Sequence, residues 1–298
     1  MKPPPRILPF NKEGMPTEQQ TRDGLNAMPF LYMCILFLAG GFAGLGAGFM
    51  GIGGGAVLTP VCMMVYPMLG VDGDELVKII FGTNMFLVTI LSATAAIRHH
   101  RNERMSWRTV LAVGPTAVLG SVLGSWAASA TDPLVLKKGF ALLLFISSTV
   151  IIVRGSPNPS GPHGDGAVLP RSLLPLLGIL TGFLGSFLGI GGGIVMIPAL
   201  ILLFALPVTV VAGTSSSIII CIGIAATFSY MWYGQTAHLN LSGWSTGYVW
   251  WSAAIPLMLG GVPLASFGAW LNARTHAKVL QRIFGAVLFI LAVRILLT

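Results

Sequence analysis

Between Arg171 and Arg274 the chain runs for 102 residues without one Asp, Glu, Lys or Arg. A second stretch, 48 residues between Asp23 and Asp72, is equally free of charge. No soluble fold can face water with such segments, and only 9% of all residues are charged against about 25% in soluble chains. With 54% hydrophobic residues, the chain reads as an integral membrane protein. That excludes a cytosolic enzyme, a disordered regulator and a disulfide-stapled secreted module. The net charge of +8 comes from basic residues set between apolar runs. It is read as a topology signal, and no nucleic-acid partner is expected. Cys34, Cys62 and Cys221 are scattered in apolar segments without a CxxC pair, so they are expected to be small core thiols.

Residues 1–27 hold five prolines and seven charges and are expected to form a disordered tail. Beyond them, spans of about 20 apolar residues are needed to cross a hydrocarbon core of about 30 Å. Candidates lie near 28–50, 76–97, 108–129, 134–153, 172–188, 208–231, 246–271 and 276–297. Two shorter apolar pieces, near 55–69 and 193–206, each follow a glycine cluster. They are expected to be half-helices or re-entrant arms, since irregular backbone at membrane depth must be satisfied by protein or a watery cavity. The expected fold is therefore an all-α polytopic membrane protein with about eight full spans and two short glycine-initiated segments.

An internal repeat organises these elements. Residues 44–60, GLGAGFMGIGGGAVLTP, match 182–198, GFLGSFLGIGGGIVMIP, with nine identities in 17 positions. Gly82-Thr83 then matches Gly213-Thr214, 115–125 matches 256–266, and 135–146 matches 279–290 with six identities in 12. The expected organisation is a first transmembrane repeat over 28–153, a linker over 154–171 and a second repeat over 172–298. If each GIGGG segment turns back, the repeats are inverted; if it passes through, they are parallel. Leaving the tail aside, inversion places nine Lys/Arg inside and four outside, against seven and six for the parallel arrangement. Adding the tail's four reverses that ranking. Inversion is the favoured expectation, with the arginine-rich 98–108 loop inside and the Asp72, Asp74, Glu75 loop outside.

Gly53, Gly54 and Gly55, with Gly191, Gly192 and Gly193, are the first candidate site residues. Successive backbone N–H groups in a glycine turn ahead of a helix form a concavity that binds anions without a buried cation. The spaced glycines Gly40, Gly44, Gly48 and Gly185, Gly189, Gly193 also suit close helix packing. The second candidate cluster is Thr83 and Asn84 with Thr214, Ser215, Ser216 and Ser217, whose hydroxyls and amide can donate to an anion or satisfy opened helix backbone. No acidic residue lies within a span, which favours an anionic or neutral substrate over a cation. The GxGxxG at 46–51 lacks the strand and amphipathic helix of a dinucleotide site. No catalytic triad, metal motif or cofactor motif is visible, so no enzyme, metal or cofactor is expected.

With GAGFMGIGGGAVLTP at 46–60, GSFLGIGGGIVMIP at 185–198 and AGTSSS at 212–217, the chain resembles the sulfite exporter TauE/SafE family of membrane permeases over about 28–297. The resemblance implies a multi-pass permease of the bacterial inner membrane, moving sulfur-containing anions such as sulfite and sulfonates or other small organic anions. It points to Gly53, Gly54, Gly55, Gly191, Gly192, Gly193, Thr83, Thr214 and Ser215. Asn84 departs from the pattern, standing where the second repeat has Ser215. The expected partners are a small anionic substrate and the lipid bilayer; a passive anion channel and a non-transporting scaffold are the alternatives.

Overall fold

The computed structural model describes residues 30–154 and 170–297, apart from positions 70, 72, 74, 102–104, 205, 238–240, 242–243 and 275–277. The expected tail and most of the expected linker lie outside the described residues. Ten α-helices account for nearly all of the rest: α1 (Phe30–Met50), α2 (Gly55–Met68), α3 (Leu76–Arg101), α4 (Trp107–Ala130), α5 (Pro133–Arg154), α6 (Leu174–Phe187), α7 (Gly193–Leu202), α8 (Val208–Tyr233), α9 (Trp251–Arg274) and α10 (Lys278–Leu297). Among them α1, α3, α4, α8 and α9 are long and apolar enough to cross a membrane. The two glycine-initiated helices, α2 with 14 residues and α7 with 10, reach only about 21 and 15 Å at 1.5 Å per residue, half to two-thirds of a hydrocarbon core.

Two of the expected full spans differ: the one at 172–188 is a short turn, Arg171–Leu173, followed by the 14-residue α6, about 21 Å and short of a full crossing, and another starts later than expected. The segment expected to start a span at 246 instead forms a hairpin, β1 (Ser245–Thr246) paired antiparallel with β2 (Val249–Trp250), and α9 begins only at Trp251. Thr, Tyr, Val and Trp all suit a strand, and Gly247 supplies a turn with φ of +53°. Trp250 is fully buried, edge-on to Tyr66 at 4.9 Å.

Polarity is distributed as lipid demands rather than as water does. Leu38, Leu111, Leu119, Phe228 and Leu259 are exposed, while Thr83, Asn84, Ser92 and Ser215 are fully buried. The centre is the pair α3 and α8: 72% of each apolar stretch is buried, against 39% to 44% in α1, α4 and α9. Small residues bring the outer helices close. Along α1, Gly40, Gly44 and Gly48 meet the backbone of Leu257, Gly261 and Ala265, so α1 and α9 run parallel. Along α4, Gly120 and Gly124 meet Ile179 and Phe183, so α4 and α6 also run parallel. The rings of Phe145 and Phe289 lie 5.2 Å apart, and Lys137 near the start of α5 lines a cavity with Arg294 near the end of α10, so that pair is antiparallel. Following the short connections, α1, α3, α5 and α9 run one way and α4, α6, α8 and α10 the other.

Candidate functional site

The two glycine turns meet at the centre of the molecule. After α1 the chain reverses, bringing Gly54 beside the Ala43 carbonyl, and α2 then runs back along the first half of α3. After α6 it reverses likewise, with Gly192 beside Thr181. Gly54 and Gly192 cap the two short helices with φ of +80° and +82°, a left-handed conformation that side chains resist. The following residues face one another across the centre. A methyl built on Gly55 would lie 2.7 Å from the Ile190 carbonyl oxygen, and one on Gly193 would lie 2.6 Å from Ile52 Cα. Gly53 and Gly191 both pack on Val88 and Ile219, which sit at the midpoints of α3 and α8.

This arrangement aims two helix N-termini at one place. Val57 and Leu58 donate to Gly54 O, and Val195 and Met196 donate to Gly192 O, at 3.0–3.1 Å. The N–H groups ahead of them, on Gly55, Ala56, Gly193 and Ile194, have no acceptor within their helices. Neither helix has a side-chain cap. Each N-terminus carries roughly half a positive charge from its aligned peptide dipoles, so the meeting point favours an anion although no cationic side chain among the described residues is placed there.

The hydroxyl cluster frames the turns. Thr83 Oγ1 accepts the Trp250 N–H at 2.9 Å, just before α9, and Thr214 Oγ1 accepts the Ser106 N–H at 3.0 Å, just before α4. Each threonine therefore holds a helix start from the other half of the chain. Ser215 Oγ donates to Gly51 O at 2.9 Å. In the other half Asn84 takes a longer route: its Nδ2 donates to Thr59 Oγ1 at 2.7 Å, and Thr59 Oγ1 reaches Gly189 O at 3.4 Å. The departure at Asn84 is thus compensated by Thr59, whose repeat counterpart is Ile197, so both turns have their carbonyl tethered. Ser217 Oγ donates to Gly213 O at 2.9 Å. Ser216 Oγ is buried and makes no hydrogen bond, and the same holds for Ser92 Oγ.

Sequence reading missed Thr59 and Ser92. Each is a lone polar residue whose counterpart, Ile197 or Gly223, is apolar, so no repeat pair marks it. Toward the start of α3, Lys78 pairs with Glu75 at 3.4 Å and sits 6.0 Å from the Tyr248 ring. Burial, with Glu75 adding to it, pushes the Tyr248 phenol well up, which keeps it protonated. Among the described residues no group of His, Cys, Asp and Glu could hold a metal ion, and Cys34, Cys62 and Cys221 are free thiols.

The chain matches known membrane proteins along nearly its whole length. A probable membrane transporter protein of Haemophilus influenzae is 26% identical over 272 residues, covering 90% of this chain and 99% of that protein. One from Methanocaldococcus jannaschii is 26% identical over 269 residues, covering 90% and 96%. One from Bacillus subtilis is 22% identical over 283 residues, covering 90% and 98%. No solved structure matches the chain. Residues 36–295 match the family described as sulfite exporter TauE/SafE, so this chain belongs to that family of membrane transporters.

Proposed function

We propose that the chain is a multi-pass inner-membrane permease for a small anion, a sulfur oxyanion such as sulfite, a sulfonate or a small organic acid. The carrying observation is the convergence of the two short helices, whose N-termini meet between Gly53–Gly55 and Gly191–Gly193. The turn amides bind the anion, and Thr83, Asn84, Thr214, Ser215, Ser216 and Ser217 form the surrounding polar wall. The family description supports sulfite as the first substrate to try.

The transporter is built as two inverted repeats, 28–153 and 172–298, joined by the linker at 154–171. Supporting this, α1 runs opposite to α6, α3 opposite to α8, and α4 opposite to α9. The ring of Phe145 also packs against that of Phe289, its own counterpart in the repeat, tilted by 35°. In such a fold the substrate site lies at the repeat interface, and the two halves rock around it to give alternating access. The arginine-rich end of α3 faces the cytoplasm.

Purified protein in proteoliposomes, with sulfite flux measured against external concentration, tests the reading. Saturable flux that methanesulfonate or acetate inhibits is the expected result. Flux that never saturates would make the protein a channel, and absence of any anion flux from correctly folded protein would remove the transport reading.

A further inference from the structure

We propose that the anion rests on the first of the two turns, held by the hydroxyls of Ser92 and Ser216 with the N–H groups that open α2. The second turn faces it across the centre with the backbone N–H groups that open α7 but brings no free hydroxyl. This rests on the transporter reading above and assigns the ligand contacts within it.

Ser92 is fully buried, and its Oγ lies 3.4 Å from the position a Cβ on Gly53 would occupy. It makes no hydrogen bond. Its neighbours on the same helix behave differently: Thr89 and Thr94 each donate to the carbonyl four residues back, at 2.8 and 2.9 Å. That bond is the ordinary refuge of a hydroxyl in an apolar helix, and Ser92 does not take it. Ser216 is likewise fully buried and without a partner. On α8 it lies four residues after Ala212, which meets Gly51, and three before Ile219, which meets Gly53 and Gly191. That spacing puts Ser216 on the helix face that touches the turns. A buried hydroxyl left unpaired is costly and uncommon in native proteins, and here two of them flank one turn whose helix N-terminus is itself uncapped.

The repeat sharpens the assignment because its two halves differ at these positions. Ser92 corresponds to Gly223, Ser216 to Met85, and Ala212 to Phe81. The second turn is accordingly packed by Phe81, Val88, Ile219 and Ile222, and the hydroxyl that reaches it, that of Thr59, is already engaged with Asn84 and Gly189 O. Thr83, Thr214, Ser215 and Ser217 are already engaged with backbone. Ser92 and Ser216 are the two hydroxyls of the cluster whose O–H groups remain for a ligand. Ser92 lies about four residues past the midpoint of α3, and Ser216 between four and five before that of α8, which runs the opposite way. Both therefore sit on the side of the centre where α3 carries Arg98 and Arg101.

Thermal unfolding of the full chain in detergent, titrated with sodium sulfite against sodium chloride of equal ionic strength, tests this. A ligand that binds the native state raises Tm in a saturable way. Ser92→Ala and Ser216→Ala are each expected to raise the half-saturating sulfite concentration about tenfold, and the double variant further, with ligand-free Tm unchanged or higher. Ser125→Ala, which removes a buried hydroxyl bonded to Ser121 O, is expected to lower ligand-free Tm and leave the sulfite response alone. Ser92→Cys, close in volume but a weaker donor, is expected to fall between wild type and alanine. If the serine variants respond to sulfite as wild type does, or lose ligand-free stability like Ser125→Ala, the assignment is overturned and the transporter reading stands. If sulfite, methanesulfonate and acetate all fail to stabilise wild type, the anion reading falls and takes the assignment with it.

Discussion

Replacing Gly55 with alanine tests whether the two turns touch. Gly55 opens α2 without a positive φ, so on local grounds alanine strengthens the helix by about 0.5–1 kcal/mol. The tertiary contact opposes this. The new methyl would lie 2.7 Å from the Ile190 carbonyl oxygen and 2.9 Å from Ile190 C and Cα, closer than atoms pack at the bottom of their contact well, about 3.5–4.0 Å for carbon pairs. Overpacking of this kind costs about 1–3 kcal/mol. The obstruction is backbone of the second turn, itself fixed by the Ile190 and Gly191 N–H bonds to Gly185 O at 2.8 and 3.0 Å, so the upper part of that range applies. The net loss is about 2 kcal/mol, a fall in Tm of roughly 4–8 °C. Gly114→Ala is the matched control, since its methyl would sit 3.6 Å from Cys221 Sγ in ordinary contact, and it is expected to hold or raise Tm. Tryptophan fluorescence during heating of both variants in detergent gives the comparison. A Gly55→Ala protein as stable as Gly114→Ala would refute the contact between the turns.

Thr83→Val and Thr214→Val strip the acceptors from the Trp250 and Ser106 N–H groups, and each is expected to cost about 1–3 kcal/mol, read as a lower Tm in the same heating experiment. Thr59→Val breaks the relay from Asn84 to Gly189 O; it is expected to destabilise about as much as Ser215→Ala, and a neutral Thr59→Val would show that the relay does not hold the turn. In a background without the native cysteines, Leu31→Cys and Arg171→Cys, both exposed at the starts of α1 and of the turn before α6, are expected to be labelled by an impermeant maleimide from opposite sides of the membrane. Labelling from one side would require parallel repeats. Sulfite is expected to half-saturate between micromolar and millimolar concentrations, because two helix ends at about 1–2 kcal/mol each and two hydroxyl bonds to a charge at about 1.5–3 each must also offset the dehydration of the anion; nanomolar binding in calorimetry would refute a site without a cation.

What could be read from the sequence was what the repeat wrote twice. GIGGG recurs, so both turns and both short helices are legible in place; uninterrupted apolarity marks the long helices but equally marks 172–188, where α6 has only 14 residues. The hydrogen-bond partners were not legible, because they join residues far apart in the chain. Thr83 meets Trp250 and Thr214 meets Ser106, and nothing local to either threonine names the other end. The hairpin at 245–250 was hidden by its own composition, since Tyr248, Val249 and Trp250 are as apolar as a helix interior and only Gly247 marks a turn. Ser92 was hidden for the opposite reason: one serine in an apolar helix ordinarily bonds to its own backbone, and only the contact with Gly53 distinguishes it.

The absence of charge between Arg171 and Arg274 then has a mechanical consequence. An arginine at the meeting point of α2 and α7 would attract an anion more strongly than two helix ends, but placing it there would cost about 2.5–3.5 kcal/mol or more. It would also remain buried and unpaired each time the substrate left. Helix ends carry no such penalty, because their N–H groups are fixed by the fold and their partial charge is spread along the peptide dipoles. The glycines matter for the same reason, since only without a Cβ can two backbones come close enough to place both ends at one site. The proposed site, made of helix ends and hydroxyls, can therefore empty without leaving a stranded charge, which a carrier needs each time it returns unloaded.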